Sequence, residues 1–81
     1  MTVEALMQQM ADWIAEITET EPPVITAETE LVQDLGLDSL ALAELAAKLR
    51  MRYRIKLRPG ELQSDLRAGR LAQFVLDRQN A

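Results

Sequence analysis

Neither cysteine nor histidine occurs in this 81-residue chain. The first absence removes disulfides, thiolate nucleophiles and cysteine-based zinc sites; the second removes the commonest general base and metal ligand. A chain without either is not expected to be an enzyme. Glycine and proline contribute three residues each while almost half the chain is apolar, the balance of a compact and mainly helical protein rather than a disordered one. Apolar runs are far shorter than a membrane span, and the N-terminus lacks the basic and apolar regions of a signal peptide, so a cytoplasmic protein with no membrane partner is expected. The length suits one domain, residues 1–81, with a modest core and no deep cleft.

Positive charge is missing from more than half of the chain. Residues 1–47 hold ten Asp and Glu and no Lys or Arg, which gives −10, while the last 34 residues hold nine basic and three acidic residues, which gives +6. The net charge of −4 therefore hides two surfaces of opposite sign.

What is present is helical periodicity. Thr2 can cap a first helix over 3–18, in which Val3, Leu6, Met7, Met10, Ile14 and Ile17 recur at three- and four-residue steps, with Trp13 at the edge of the stripe as a packing residue. The prolines of "TETEPPV" bar its continuation. From Thr18 to Asp38 no regular pattern persists, which predicts a long loop pinned by Val24, Ile25, Leu31, Leu35 and Leu37, with Gly36 supplying a conformation or close approach that a side chain would forbid.

A second helix is predicted over 39–54, with Leu42, Leu45, Ala46, Leu49 and Tyr53 facing inward and Leu40 off the stripe. "RYRIKLRPGEL" reads as an ordered basic loop. Pro59 suits the first turn of a short third helix over 59–65 with Leu62 and Leu66 inward, and a last helix over 68–79 buries Leu71, Ala72, Val75 and Phe74 or Leu76. The expected fold is all-α: a four-helix bundle of three main helices and a short third one.

Chemistry concentrates in "DLGLDSL", residues 34–40. Asp38 is a favourable N-cap and places Ser39 at the first helical position, yet no base accompanies the hydroxyl. Its activation must come from another protein.

In this setting "TELVQDLGLDSLALAEL" resembles the acyl carrier protein family, which includes the peptidyl carriers of nonribosomal peptide synthetases; the likeness covers nearly the whole chain. The resemblance implies that Ser39 receives 4′-phosphopantetheine from coenzyme A through a phosphopantetheinyl transferase, and that the arm then carries an acyl or aminoacyl group as a thioester. It further implies a monomeric, non-catalytic carrier serving loading enzymes and synthase, transferase or thioesterase domains in trans. Asp34, Asp38, Leu40 and Glu44 around Ser39, with Lys48, Arg50 and Arg52 farther along, are the implied recognition residues.

The chain also differs from its relatives. Fatty acid synthase carriers usually keep the second helix acidic, whereas Lys48, Arg50, Arg52, Arg54, Lys56 and Arg58 follow Glu44 here. "LGLDSLALAELAAKLR" looks more like a polyketide or peptide synthetase carrier, and Leu37-Asp38 before the serine leans toward acyl cargo; a discrete carrier of specialised metabolism is the reading that results. Arg67 and Ala68 stand where the family often has Thr-Val, which predicts a less well capped last helix.

Two other classes fit worse. Nucleic-acid binding by the Lys48–Arg58 run is opposed by the overall acidity, the scarcity of stacking aromatics and Glu44 on the same helix. A helical adaptor without a cofactor leaves the Asp-Ser-Leu helix start unexplained.

Overall fold

A computed structural model describes residues 2–57 and 67–79. Three helices run in the order α1 (Val3–Thr18), α2 (Ser39–Tyr53) and α3 (Ala68–Gln79). The short helix expected over 59–65, with Leu62 and Leu66, lies outside the described residues.

Helix α1 begins as its sequence predicts, Thr2 in an extended conformation accepting the Ala5 N–H on its side-chain oxygen at 3.1 Å. Its inward stripe buries Leu6, Met10 and Ile14, joined by Ala11 and Ala15, while Val3, Met7 and Ile17 pack at the margin. The helix closes three residues before Pro22, so the prolines are not its terminator. Glu19 takes the left-handed conformation (φ 56°), and the N–H groups of Glu19 and Thr20 both donate to the Ala15 carbonyl. That satisfies an orphan carbonyl of the last turn.

Helix α2 ends in the same way, at Arg54 (φ 54°), one residue short of the expected boundary. Leu45, Ala46, Leu49 and Tyr53 are buried and Leu42 is half-buried. Tyr53 meets Trp13 of α1 edge to face at 6.1 Å between ring centroids. Burial pushes the Tyr53 hydroxyl above its ordinary pKa of 10.0, with the Arg52 guanidinium partly opposing the rise. After α2, Ile55 and Leu57 turn inward and Lys56 outward, and no strand forms. Two arginines hold this segment: Arg50 of α2 donates to the Leu57 carbonyl at 3.2 Å and Arg78 of α3 to the Lys56 carbonyl at 3.0 Å.

Between α1 and α2 the chain is ordered by a few contacts of long reach. Leu31 and Leu37 are buried, Ile25 and Leu35 are half-buried, and Val24, expected to pin the segment, is 92% exposed. Apolarity without periodicity does not say which way a residue points. The same segment caps α3. Thr29 O accepts the Ala68 N–H at 2.8 Å and Ala27 O accepts the Gly69 N–H at 3.1 Å, so the helix start expected to be less well capped is capped by backbone carbonyls of the preceding segment. An antiparallel bridge between Glu30 and Arg67 and an Arg67–Glu28 ion pair at 3.3 Å complete the seam.

Gly69 is required by this closeness, because a Cβ there would lie 2.6 Å from the Ala27 Cβ and 2.8 Å from its Cα. Gly69→Ala should therefore cost about 1–3 kcal/mol by overpacking, more than the better helix propensity of alanine returns. Ala27→Gly in the same chain should restore part of it, since one of the two clashes goes. Thermal unfolding of the single and double variants checks both signs.

Candidate functional site

Ser39 owes its position to the turn before it. Asp34 N–H donates to the Glu30 carbonyl at 2.9 Å and Gly36 N–H to the Val32 carbonyl at 2.9 Å, winding residues 30–36 into helical turns, while the Asp34 carboxylate accepts the Glu30 N–H at 2.9 Å. Gly36 then adopts φ +70°, and since an added Cβ would meet nothing within 4 Å, the backbone conformation and not crowding calls for glycine. The reversal drops Leu37 into the core, with its N–H on the Leu31 carbonyl at 3.2 Å.

Asp38 follows in extended geometry and caps α2: its Oδ1 accepts the Ala41 N–H at 2.8 Å and its carbonyl accepts the Leu42 N–H at 2.9 Å. The amides of Ser39 and Leu40 are the first-turn donors that these bonds do not use. Asp38, Ser39 and Leu40 are all exposed, Leu40 at 69%. A shallow groove of about 250 Å³ lies beside them, between Ile17 and Thr18 at the end of α1, the cap residue Asp38, and Leu40, Ala41 and Glu44 of α2.

This arrangement suits a phosphodiester on Ser39 Oγ. The hydroxyl is open to a large partner, and a negative group there would meet the positive end of the α2 dipole and first-turn N–H groups, worth roughly 0.3–1 kcal/mol at an exposed site. The carboxylate next to it in sequence, that of Asp38, accepts the Ala41 N–H as the cap of α2.

The other expected recognition residues divide. Glu44 lies one turn beyond Leu40 on the exposed side. Lys48 pairs with Glu16 of α1 at 3.4 Å, Arg50 is committed to the Leu57 carbonyl, and the Arg52 guanidinium lies 5.9 Å from the centroid of the Tyr53 ring. Asp34, exposed, has a turn to hold. Met51 of α2, to which the sequence reading gave no place, is 81% exposed.

A family model described as "Phosphopantetheine attachment site" matches residues 8–75, most of the chain. The chain belongs to this acyl carrier family. Its cofactor is covalently bound 4′-phosphopantetheine. Similar proteins include the meromycolate extension acyl carrier protein of Mycobacterium leprae, 31% identical over 75 residues that make up 93% of this chain and 65% of that protein. The protein of the same name from Mycolicibacterium smegmatis is 30% identical over 91% of this chain and 75% of its own length. The acyl carrier protein of Helicobacter pylori is 29% identical over 95% of this chain and 99% of its own length. The chain thus spans about 65% of the length of the Mycobacterium leprae carrier. Among the described residues, no helix is long and apolar enough to cross a membrane.

Asp38→Ala should destabilise the carrier by about 0.5–2 kcal/mol through loss of the cap, whereas Asp38→Asn, which caps as well without the charge, should stay close to wild type. Equilibrium urea unfolding of both variants separates cap from charge. If Asn falls as far as Ala, the charge and not the hydrogen bond stabilises this helix start.

Proposed function

We propose that Ser39 is the attachment point of the phosphopantetheine arm and that residues 1–81 act as one monomeric, cytoplasmic carrier domain for acyl groups. The observation that carries this reading is the exposed serine at the first position of α2, behind a carboxylate cap and a glycine-reversed turn. The arm supplies a thiol on which an acyl group is held as a thioester. The chain's own residues present the attachment oxygen, keep it clear of the core and leave first-turn amides beside it. They do not activate it, so a separate phosphopantetheinyl transferase must bring base and metal.

Acyl cargo is favoured over aminoacyl cargo by Leu37-Asp38 before the serine and by the relatives, which carry the names of acyl carriers. Charge supports a place in polyketide or related specialised synthesis, since Arg50, Arg52, Arg54 and Lys56 replace the acidic end usual in fatty acid carriers. A second reading, long-chain acyl elongation, is supported by the meromycolate extension carriers among the relatives. Loading enzymes and synthase, transferase or thioesterase domains acting in trans complete the set of partners under either reading.

With coenzyme A, magnesium and a promiscuous phosphopantetheinyl transferase, the protein should gain one phosphopantetheine by intact-mass measurement, and Ser39→Ala should gain none while keeping its helicity. Without the transferase the mass should not change. An unmodified wild type, a modified alanine variant or self-loading would each contradict the assignment.

A further inference from the structure

One run of backbone leads from the start of α3 to Ser39, and it is fastened at each stage. At its far end a Cβ added to Gly69 would meet the Ala27 Cα at 2.8 Å and the Ala27 carbonyl oxygen at 3.0 Å. These are backbone atoms, which no rotamer change can move aside. Residues 26–29 close into a turn, Thr26 N–H donating to Thr29 Oγ1 at 2.9 Å and Thr29 N–H to the Thr26 carbonyl at 3.1 Å. Its last carbonyl, that of Thr29, accepts the Ala68 N–H at 2.8 Å. A turn closed on itself and bonded to α3 shifts as a unit when its contact with Gly69 changes.

Glu30 comes next and is held from two sides. Arg67, immediately before α3, pairs with it in the antiparallel bridge. From the other side Asp34 grips both of its backbone groups, the carboxylate on the Glu30 N–H at 2.9 Å and the Asp34 N–H on the Glu30 carbonyl at 2.9 Å. The Leu31 carbonyl then accepts the Leu37 N–H at 3.2 Å, which leaves only Asp38 before Ser39. Asp34 is exposed, yet its carboxylate serves as a backbone acceptor as well as a charge.

We propose that Glu30 is the joint through which the start of α3 sets the location of the Ser39 hydroxyl, with Asp34 and Gly69 as positioning residues on either side of it. The inference rests on Ser39 bearing the arm, since its exact location matters only if it reacts. In that reaction the Ser39 oxygen bonds to the phosphorus of the phosphopantetheinyl group and its proton passes to the transferase's base. The pyrophosphate bond of coenzyme A breaks and adenosine bisphosphate leaves. Attack in line is sensitive to geometry, and a misplacement of about 1 Å can cost on the order of a hundredfold. Asp34 therefore acts by accepting a hydrogen bond, and Gly69 by letting the 26–29 turn lie against α3.

Loading kinetics and amide shifts test the joint together. With coenzyme A, magnesium and a promiscuous transferase, Asp34→Ala should lower kcat about tenfold and leave KM within about twofold of wild type. Asp34→Asn, whose amide oxygen accepts the same bond, should recover to within about twofold. Gly69→Ala should lower kcat about fivefold at a temperature where circular dichroism shows it folded, and Ala27→Gly in the same chain should recover part of the loss. In the unmodified protein the NMR amide shifts of Ser39, Leu40 and Ala41 should move in Asp34→Ala and Gly69→Ala and move back in the recovering variants. A stability role confined to the seam leaves those shifts where they are. Equal and salt-dependent rises in KM for Asp34→Ala and Asp34→Asn would overturn the proposal, because Asp34 would then be a charge that the transferase recognises. Unchanged kcat in folded variants, or unmoved amide shifts, would overturn it too. A wild type that is never loaded indicts the Ser39 assignment, and the amide shifts then decide the joint by themselves.

Discussion

The burial of Leu31 and Leu37 is the constraint from which the position of Ser39 follows. Both side chains leave water almost completely, each worth about 1.5–3 kcal/mol relative to exposure, and both belong to a segment with no helix of its own. Anchored at these two points, the chain has to reverse at Gly36, and the reversal delivers Asp38 in the extended conformation that a helix cap needs. The serine is then placed by its neighbours and needs no contact of its own. A fixed location and an exposed hydroxyl are what the proposed attachment point requires.

The same segment organises the other end of the molecule. Carbonyls of Ala27 and Thr29 receive the first amides of α3, so the connection that presents Ser39 is also the N-cap of the last helix. One stretch of chain thus ties all three helices together, with α1 lying against both α2 and α3. The arginines after Lys48 add a second fastening. Arg50 and Arg78 reach from different helices to successive carbonyls, at Leu57 and Lys56, so part of the basic run that distinguishes this chain has a structural task.

How much of this can be read from sequence depends on the kind of interaction. Three- and four-residue spacing identifies α1 and α3, and Thr2 and Asp38 announce the starts of α1 and α2, because those signals are local and carried by side chains. The last residue of α2 is legible to within one position, the difference being a left-handed arginine, which composition does not reveal. Val24 was misjudged because an apolar residue outside any periodic pattern carries no direction. The tasks of Asp34, Arg50 and Gly69 were hidden for a common reason: each answers to a backbone group or a close approach, and backbone positions are invisible until the chain is folded. The setting of Ser39 was legible because a glycine turn, an acidic cap and a helix start are all local.

The most direct test of this account is residue-level localisation of the arm. The chain has two serines, Ser39 and Ser64. Tandem mass spectrometry of peptides from protein purified out of its native cells should release the phosphopantetheine fragment from the peptide containing Ser39 and from no other, with any bound acyl group released along with it. A modified Ser64, or a native protein in which Ser39 is never modified, would contradict it.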